Sequence, residues 1–521
     1  MSIKDMLDRE FGTIPELIHA HAQVQPQQLA LIEGDRSLDY ASLDALMDRF
    51  AATLQREGLQ AGDIIAICAA SSIEYAVAFL GAIRIGVAVA PLAPSSTAEG
   101  LASMLSDCAA QWLFLDAATA RTLEPVRASL RVTCVALDGD ERIGVGWDKW
   151  LAPPEAHPKP VEVAPDGPFN VIYSSGTTGV PKGIVQPHRM RWAHVRRAES
   201  SGYGPNAVTL VSTPLYSNTT LVSFFPTVAL GGAVVLMAKF DATKFLEASQ
   251  RNHVTHAMLV PVQYQRIMDH PDFDRFDLSS YQMKFCTSAP FAAALKTRVL
   301  QKWPGGLVEY YGMTEGGGTC ILLAHMFPEK LHTVGFPVPG HDIRLIDDDG
   351  KQVATGEAGE VVGASPNATM TGYHNQPSKT SDAEWYDETG KRFIRTGDIG
   401  RFDQDGFLTL IDRKKDMIIS GGFNIYPSDL EAVLVQHPAI EEATVVGVPS
   451  ERWGETPIAF AVRKPDHAAV SGDEVSAWFE HRVGKTQRLA AIEWVDALPR
   501  SPIGKVLKRE LRDAYLKRTP T

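Results

Sequence analysis

Short unbroken apolar runs alternate along this chain with segments whose apolar residues recur every three to four positions. "SLDYASLDALMDRFAATLQREGL" (37–59) has the helical spacing, with Ser42 placed to cap its start and Gly58 to stop it. "DIIAICAA" follows as a continuous apolar run, the pattern of a strand buried on both faces, and "WLFLD" and "VTCVALD" repeat it. "AVAFLGAIRIGVAVAPLAP" (76–94) carries Arg84 and two prolines, which predicts a buried helix followed by a strand rather than a membrane span. Such alternation predicts an α/β fold with parallel sheets. "APPEAHPKPVEVAPDGP" (152–168) reads as an exposed connection, and "HDIRLIDDDGKQVATGEAGEVVGA" (341–364) as a hairpin-rich β section.

Beyond "FLTLIDRKKDMI" the pattern changes. "IISGGFNIYPSDLEAVLVQHP" predicts a strand, a Gly-Gly turn and a helix with Ser428 and Glu431 as a capping box, ended by Pro438. "ATVVGVP" and "IAFAVRKP" read as strands and "DEVSAWFEHRV" as a helix. The expectation is a large N-terminal α/β domain with parallel sheets and a β section over 1–414, and a small mobile α+β C-terminal domain over 415–521.

Composition narrows the function. A length of 521 residues suits two or more domains. A net charge of −12 without a basic stripe argues against nucleic acid as a partner. Cys68, Cys108, Cys134, Cys286 and Cys320 stand far apart with no C-x-x-C pair, which predicts reduced, mostly buried thiols rather than zinc ligands or a disulfide framework. The first residues lack an apolar h-region, so a cytoplasmic enzyme is expected; oligomeric state is not legible.

The densest chemistry lies in "YSSGTTGVPKGIVQPH" (173–188), directly after the strand-like "FNVIY". Gly176, Gly179 and Gly183 let the backbone turn sharply; Ser174, Ser175, Thr177 and Thr178 supply hydroxyl donors, and Lys182 a mobile cation. Donors without acids suit a phosphate chain, although Gly/Ser/Thr clusters are more often plain turns. This is not a Walker loop, because Gly183 follows the lysine and "IVQPH" does not open a helix; "VGKT" at 483–486 fails because Phe479 stands where a glycine is needed.

Four further motifs follow in order: "YYGMTEGGG" (310–318), "RTGDIG" (395–400), "DRKKDMIISGGFNIYPSDLE" (412–431) and "PRSPIGKVLKREL" (499–511). With the loop, they resemble the signatures of the adenylate-forming superfamily, acyl-CoA synthetase and aryl-CoA ligase type. The resemblance implies that Ser174 to Gly179 and Lys182 hold ATP phosphates, Tyr311 contacts adenine, Thr314 touches phosphate, and Glu315 holds Mg²⁺. It further implies that Asp398 and Arg413 bind ribose, Lys415 is a hinge, Gly421 and Gly422 admit the pantetheine arm of coenzyme A, and Lys505 bridges carboxylate and α-phosphate. Read without that resemblance, Glu315 is a loop acid, Asp398 a turn residue and "DRKKD" a solvated charge run.

The implied reaction is ATP-dependent, AMP-forming ligation: a carboxylic acid becomes an acyl-AMP and then its CoA thioester. In many relatives a histidine stands in the segment matching "TPLYSNTTLVSFF"; here the position is Ser217. The acid pocket is expected to comprise Tyr216, Ser217, Asn218, Val222, Met258, Cys286, Ser288, Gly312, Met313 and Gly317, with no evident buried arginine or lysine to take a second carboxylate. Aromatic faces with small residues favour an aryl or cinnamyl-type acid. A medium-chain fatty acid, or an adenylating enzyme that loads a separate carrier protein, are the alternatives.

Overall fold

A computed structural model of the chain describes residues 2–174, 182–420, 423–467, 470–484, 487–501 and 504–518. The continuous apolar runs become central strands of two mixed sheets. Ile64–Cys68 pairs in parallel with Ala88–Pro91 on one side and Trp112–Leu115 on the other. They belong to an eight-stranded sheet that also holds the antiparallel pair Pro168–Ser174 and Lys182–Pro187. In a nine-stranded sheet Val208–Val211, His256–Leu259, Met283–Cys286 and Gly306–Tyr311 lie in parallel sequence, and Cys320–Leu323 runs antiparallel at their side.

Helices Ile14–Val24, Tyr40–Arg56, Ile73–Arg84 and Asn218–Ala229 share one core cluster with residues of both sheets, among them Ile65, Phe114, Leu31 and Val234. Ile73–Arg84 is buried from Ile73 through Ile83 except for Glu74, so the stretch resembling a membrane span is a core helix, as its pattern predicted. No helix of the described residues is long and apolar enough to cross a membrane. All five cysteines are free thiols, four of them buried.

The chain separates into two compact units: 1–332 with 337–342 and 363–394, and 333–336 with 343–362 and 395–521. In the second, strands Ile440–Ser450 and Gly454–Arg463 form a long antiparallel pair, extended by Ile418–Ser420 and Ala491–Trp494. Ile418, Leu430, Leu434, Val445 and Phe479 fill one face of that sheet; Val446, Ile458, Phe460, Leu498 and Leu511 fill the other.

Two capping expectations fail for instructive reasons. Helix Tyr40–Arg56 is capped by Asp39, whose carboxylate accepts the Ser42 N–H at 2.8 Å; Ser42 is the capped residue, not the cap. The Tyr40 hydroxyl fixes this earlier start by donating toward the Val228 and Gly232 carbonyls. Helix Pro427–Leu434 begins before Ser428 and ends ahead of Pro438. Ser428 instead bonds Asp412 and the Ile411 carbonyl, while Glu431 accepts from Thr444 at 2.9 Å and Val445 at 2.8 Å and pairs with Lys508. Tertiary partners thus displace the local box.

Candidate active site

The glycine- and hydroxyl-rich loop joins two antiparallel strands whose register sets Ser174 opposite Lys182. Ser175, Gly176, Thr177, Thr178 and Gly179 lie outside the described residues, but both ends of the loop are fixed. Lys182 opens its strand half-buried, with Nζ 5.0 Å from the centre of the Tyr373 ring. Gly183 has no room for a side chain: a Cβ would stand 2.9 Å from Val171 and 3.1 Å from Tyr173.

Tyr373 carries the geometry onward. Its hydroxyl donates to Glu315 Oε1 at 2.9 Å, and burial, then the Glu315 charge, push the phenol well above its ordinary range. Lys182, Tyr373 and Glu315 therefore form one connected group from three distant segments. Glu315 is also held by its backbone, whose carbonyl accepts the Met370 N–H at 2.8 Å. Gly316 and Gly317 have φ of +74° and +89°, and a Cβ on Gly316 would lie 2.1 Å from the Ala368 carbonyl. Only glycine lets the 314–318 loop lie against segment 363–370 at that distance. Tyr311 ends its strand half-buried opposite Cys320, and the Thr314 carbonyl accepts from Gln186 at 2.6 Å.

Among the expected acid-pocket residues, Ser217 stands at the N-cap position of helix Asn218–Ala229 without a side-chain capping bond and is buried, while Tyr216, Asn218 and Val222 are half-buried. Ser288 sits at φ +80° with its hydroxyl 2.5 Å from that of Thr219. Met258 is buried, Met313 is half-buried and Gly312 is exposed. Gly317 is buried, and Cys286 is fully enclosed at the end of its strand, its thiol pushed well up by burial. The rings of Tyr203 and Tyr310 each stack on Phe285, with centroids at 5.7 and 5.9 Å, which builds an aromatic wall.

The expectation that no buried arginine accompanies these segments is overturned. Arg191, on helix His188–Ala198, is 1% exposed and donates to Asn170, Gln186 and Asn218. Its partners are neutral amides, so burial pushes the guanidinium down to about 9. The basic run "RMRWAHVRR" reads as a solvated face when charge alone is weighed; its spacing in turns of the helix was the available signal.

The remaining predicted residues belong to the second unit. Asp398 and Arg413 are cross-strand partners, joined Oδ1 to Nε at 2.8 Å. "DRKKD" is not a solvated run: Lys414 pairs with Asp348 at 2.8 Å and with the buried Glu360 at 3.1 Å, which also takes Arg395. Lys415 lies in the single turn Lys414–Asp416 that follows. Gly421 and Gly422 lie outside the described residues. Lys505 sits on a tight turn in which its N–H donates to Ser501 Oγ at 3.2 Å and its carbonyl accepts the Ser501 N–H at 2.8 Å; Gly504, at φ +78°, makes the reversal. Lys505 is exposed, while nearby protein partly shields its ammonium. Desolvation first, then the nearby cations Arg413 and Lys415, push it down to about 8.

This arrangement defines a class of protein: an α/β enzyme with a lysine–tyrosine–carboxylate group at a phosphate-type loop and a second, separately folded lysine on a glycine turn. Comparison with known proteins agrees. Residues 18–374 match the model of the AMP-binding enzyme family, and 429–505 that of the AMP-binding enzyme C-terminal domain. Feruloyl-CoA synthase from Amycolatopsis is 33% identical over 502 residues, covering 95% of this chain and 97% of the relative. Fatty acid–[acyl-carrier-protein] ligase ScoC from Streptomyces coeruleorubidus is 31% identical over 516 residues, covering 97% of each. ATP-bound MatB from Rhodopseudomonas palustris superposes with a TM-score of 0.85 at 26% identity, covering 97% of this chain and 99% of that one. The chain belongs to the AMP-binding enzyme family, in the acyl-CoA synthetase branch of the adenylate-forming superfamily, and is an AMP-forming acid–thiol ligase.

Proposed function

We propose that this ligase activates an aryl or cinnamyl-type carboxylic acid to its acyl-AMP and transfers the acyl group to free coenzyme A. The connected group Lys182–Tyr373–Glu315 carries the reading, because it brings a cation and a hard oxygen donor together beside the donor-rich loop. The aromatic wall of Tyr203, Phe285 and Tyr310 and the small neutral Ser217 support a flat, ring-bearing acid. Feruloyl-CoA synthase among the relatives supports the same class.

In this reading Ser174, the loop residues Ser175 to Gly179 and Lys182 hold the phosphates, with Thr314 beside them. Tyr311 packs on adenine, and Asp398 and Arg413 hold the ribose. Glu315 fits a magnesium ion: it is an oxygen ligand, one oxygen is steadied by Tyr373, and no group of three or more His, Cys, Asp or Glu among the described residues forms a protein-only cage. Mg²⁺ is commonly held by one or two carboxylates and substrate phosphates. Bound there, the ion neutralises charge on the phosphate oxygens. Lys505 bridges the incoming carboxylate and the α-phosphate, where negative charge grows as the oxygen attacks phosphorus and pyrophosphate leaves. A boundary at Lys415 then lets 415–521 turn, withdrawing Lys505 and presenting Gly421 and Gly422 to the pantetheine arm, so that the thiolate attacks the mixed anhydride. The proposed division is thus 1–414 and 415–521, in the cytoplasm.

Incubation with ATP, Mg²⁺, CoA and a panel of aryl, cinnamyl and aliphatic acids tests the reading. AMP, pyrophosphate and a thioester are expected with ring-bearing acids; ADP in place of AMP overturns it. The carrier-protein relative supports one second reading, delivery to a protein-bound pantetheine. Acceleration of AMP release by free CoA separates the two.

A further inference from the structure

One face of helix His188–Ala198 leads away from the reacting centre. Met190 lies on it, its Cε 3.0 Å from where a Cβ of Gly316 would stand, beside Glu315. His194 and Arg197 follow at the i+4 and i+7 positions, on the same side. Seven residues of helix advance about 10 Å. At that remove His194, Arg197, Tyr310 and His341 gather as one cluster, each of them partly exposed.

The cluster has a surplus of donors. Arg197 Nη1 stands 2.7 Å from His341 Nε2, while His341 Nδ1 faces the Thr319 N–H at 3.0 Å. A neutral imidazole accepts at one nitrogen only, so one of these contacts sets donor against donor. His194 Nδ1 is, among the described residues, a buried atom without a hydrogen-bond partner. Among the described residues, no carboxylate lies within ion-pair distance of Arg191 or Arg197. Burial, and then the Arg197 charge, push both histidines down so that their imidazoles are neutral, and burial pushes Arg197 down as well, the direction expected of a cation that lacks an anion. Buried arginines are ordinarily paired, and an anion placed here would satisfy the guanidinium and the facing donors at once.

We propose that this cluster forms a specificity subsite for a second, anionic group of the acid, a carboxylate at the end remote from the one that is activated, with Arg197 its principal ligand and His341 and His194 beside it. The assignment rests on the acid-activating reading above. It names the substrate class more closely: ring-bearing acids with a carboxylate at the far end.

The test compares cinnamate, 4-carboxycinnamate and the methyl ester of its ring carboxylate by pyrophosphate release and by thioester formation. For the native enzyme we expect kcat/KM for 4-carboxycinnamate to exceed both neutral acids at least about tenfold, mostly through KM, as a charge-assisted contact gives. Arg197→Gln should bring the ratio close to one, and His341→Gln should lower it without abolishing it. Should either variant fail to fold by circular dichroism, the native ratio alone decides. Cinnamate turned over as well as or better than 4-carboxycinnamate overturns the subsite and leaves the ligase reading standing. Absence of AMP formation with every acid in the wider panel overturns the ligase reading instead, and the subsite with it.

Discussion

Lys505 offers the sharpest test of the proposed chemistry. An ordinary lysine keeps its proton to above pH 10, whereas here partial desolvation and the cations Arg413 and Lys415 push the ammonium down to about 8. The sign is that of a base whose charged form is disfavoured: protonation is nearly complete at pH 7 and is lost as pH rises through 8. At pH 9 about a tenth of the free enzyme carries the charge, against nearly all of it for an unperturbed lysine. If that charge neutralises the α-phosphate, kcat/KM for adenylation, which reports the free enzyme, should fall roughly tenfold between pH 7 and 9. Anionic phosphates raise the group once ATP binds, so the same limb in kcat should lie at higher pH. The assay is pyrophosphate release at subsaturating and saturating ATP. Lys505→Arg stays charged throughout and should be slower but flat over this range. A native profile flat to pH 10, or an identical limb in Lys505→Arg, refutes the assignment. In the second case another group titrates; Lys284, pushed down to about 7 by burial where it donates to the Pro304 and Gly305 carbonyls, would be the first to examine.

Other perturbations probe single links. Tyr373→Phe removes one hydrogen bond to a charged carboxylate, worth about 1.5–3 kcal/mol, and should raise the Mg²⁺ concentration for half-maximal adenylation or lower kcat by at least about tenfold; unchanged metal dependence would detach Tyr373 from the site. Gly316→Ala forces a Cβ against the Ala368 carbonyl at a left-handed φ and should cost at least about 2 kcal/mol in denaturant unfolding or displace Glu315. Lys296 and Glu309 form an ion pair in which both side chains are almost fully buried, so Lys296→Met should cost about 3–5 kcal/mol, and adding Glu309→Leu should recover much of it. A double variant no more stable than the single one would refute that account.

The legible part of this protein was the part whose chemistry is contiguous. A phosphate-type loop, "YYGMTE" and the lysine turn each place several functional groups within a few residues, and apolar periodicity located the strands and helices that carry them. What escaped were side chains that act on the site from elsewhere in the chain. Tyr373 reaches Glu315 across 58 positions, and neither segment marks the other. Local rules failed where a tertiary partner was stronger, as at Ser428, whose groups go to Asp412 and Ile411 rather than to a cap.

Helix His188–Ala198 shows why charge is the harder pattern to read. A basic segment of this composition is ordinarily a solvated face, and Arg196 does point outward. Arg191 nevertheless keeps helical spacing with His188, Val195 and Ala198 and turns inward with the core stripe, while Met190, His194 and Arg197 lie together on another side of the helix. A cation turned inward needs an anion, and among the described residues Arg191 and Arg197 have none within ion-pair distance. The described residues include the helix that sets that charge and no carboxylate within ion-pair distance of Arg191 or Arg197, which is why the proposed subsite gives the balancing anion to the substrate.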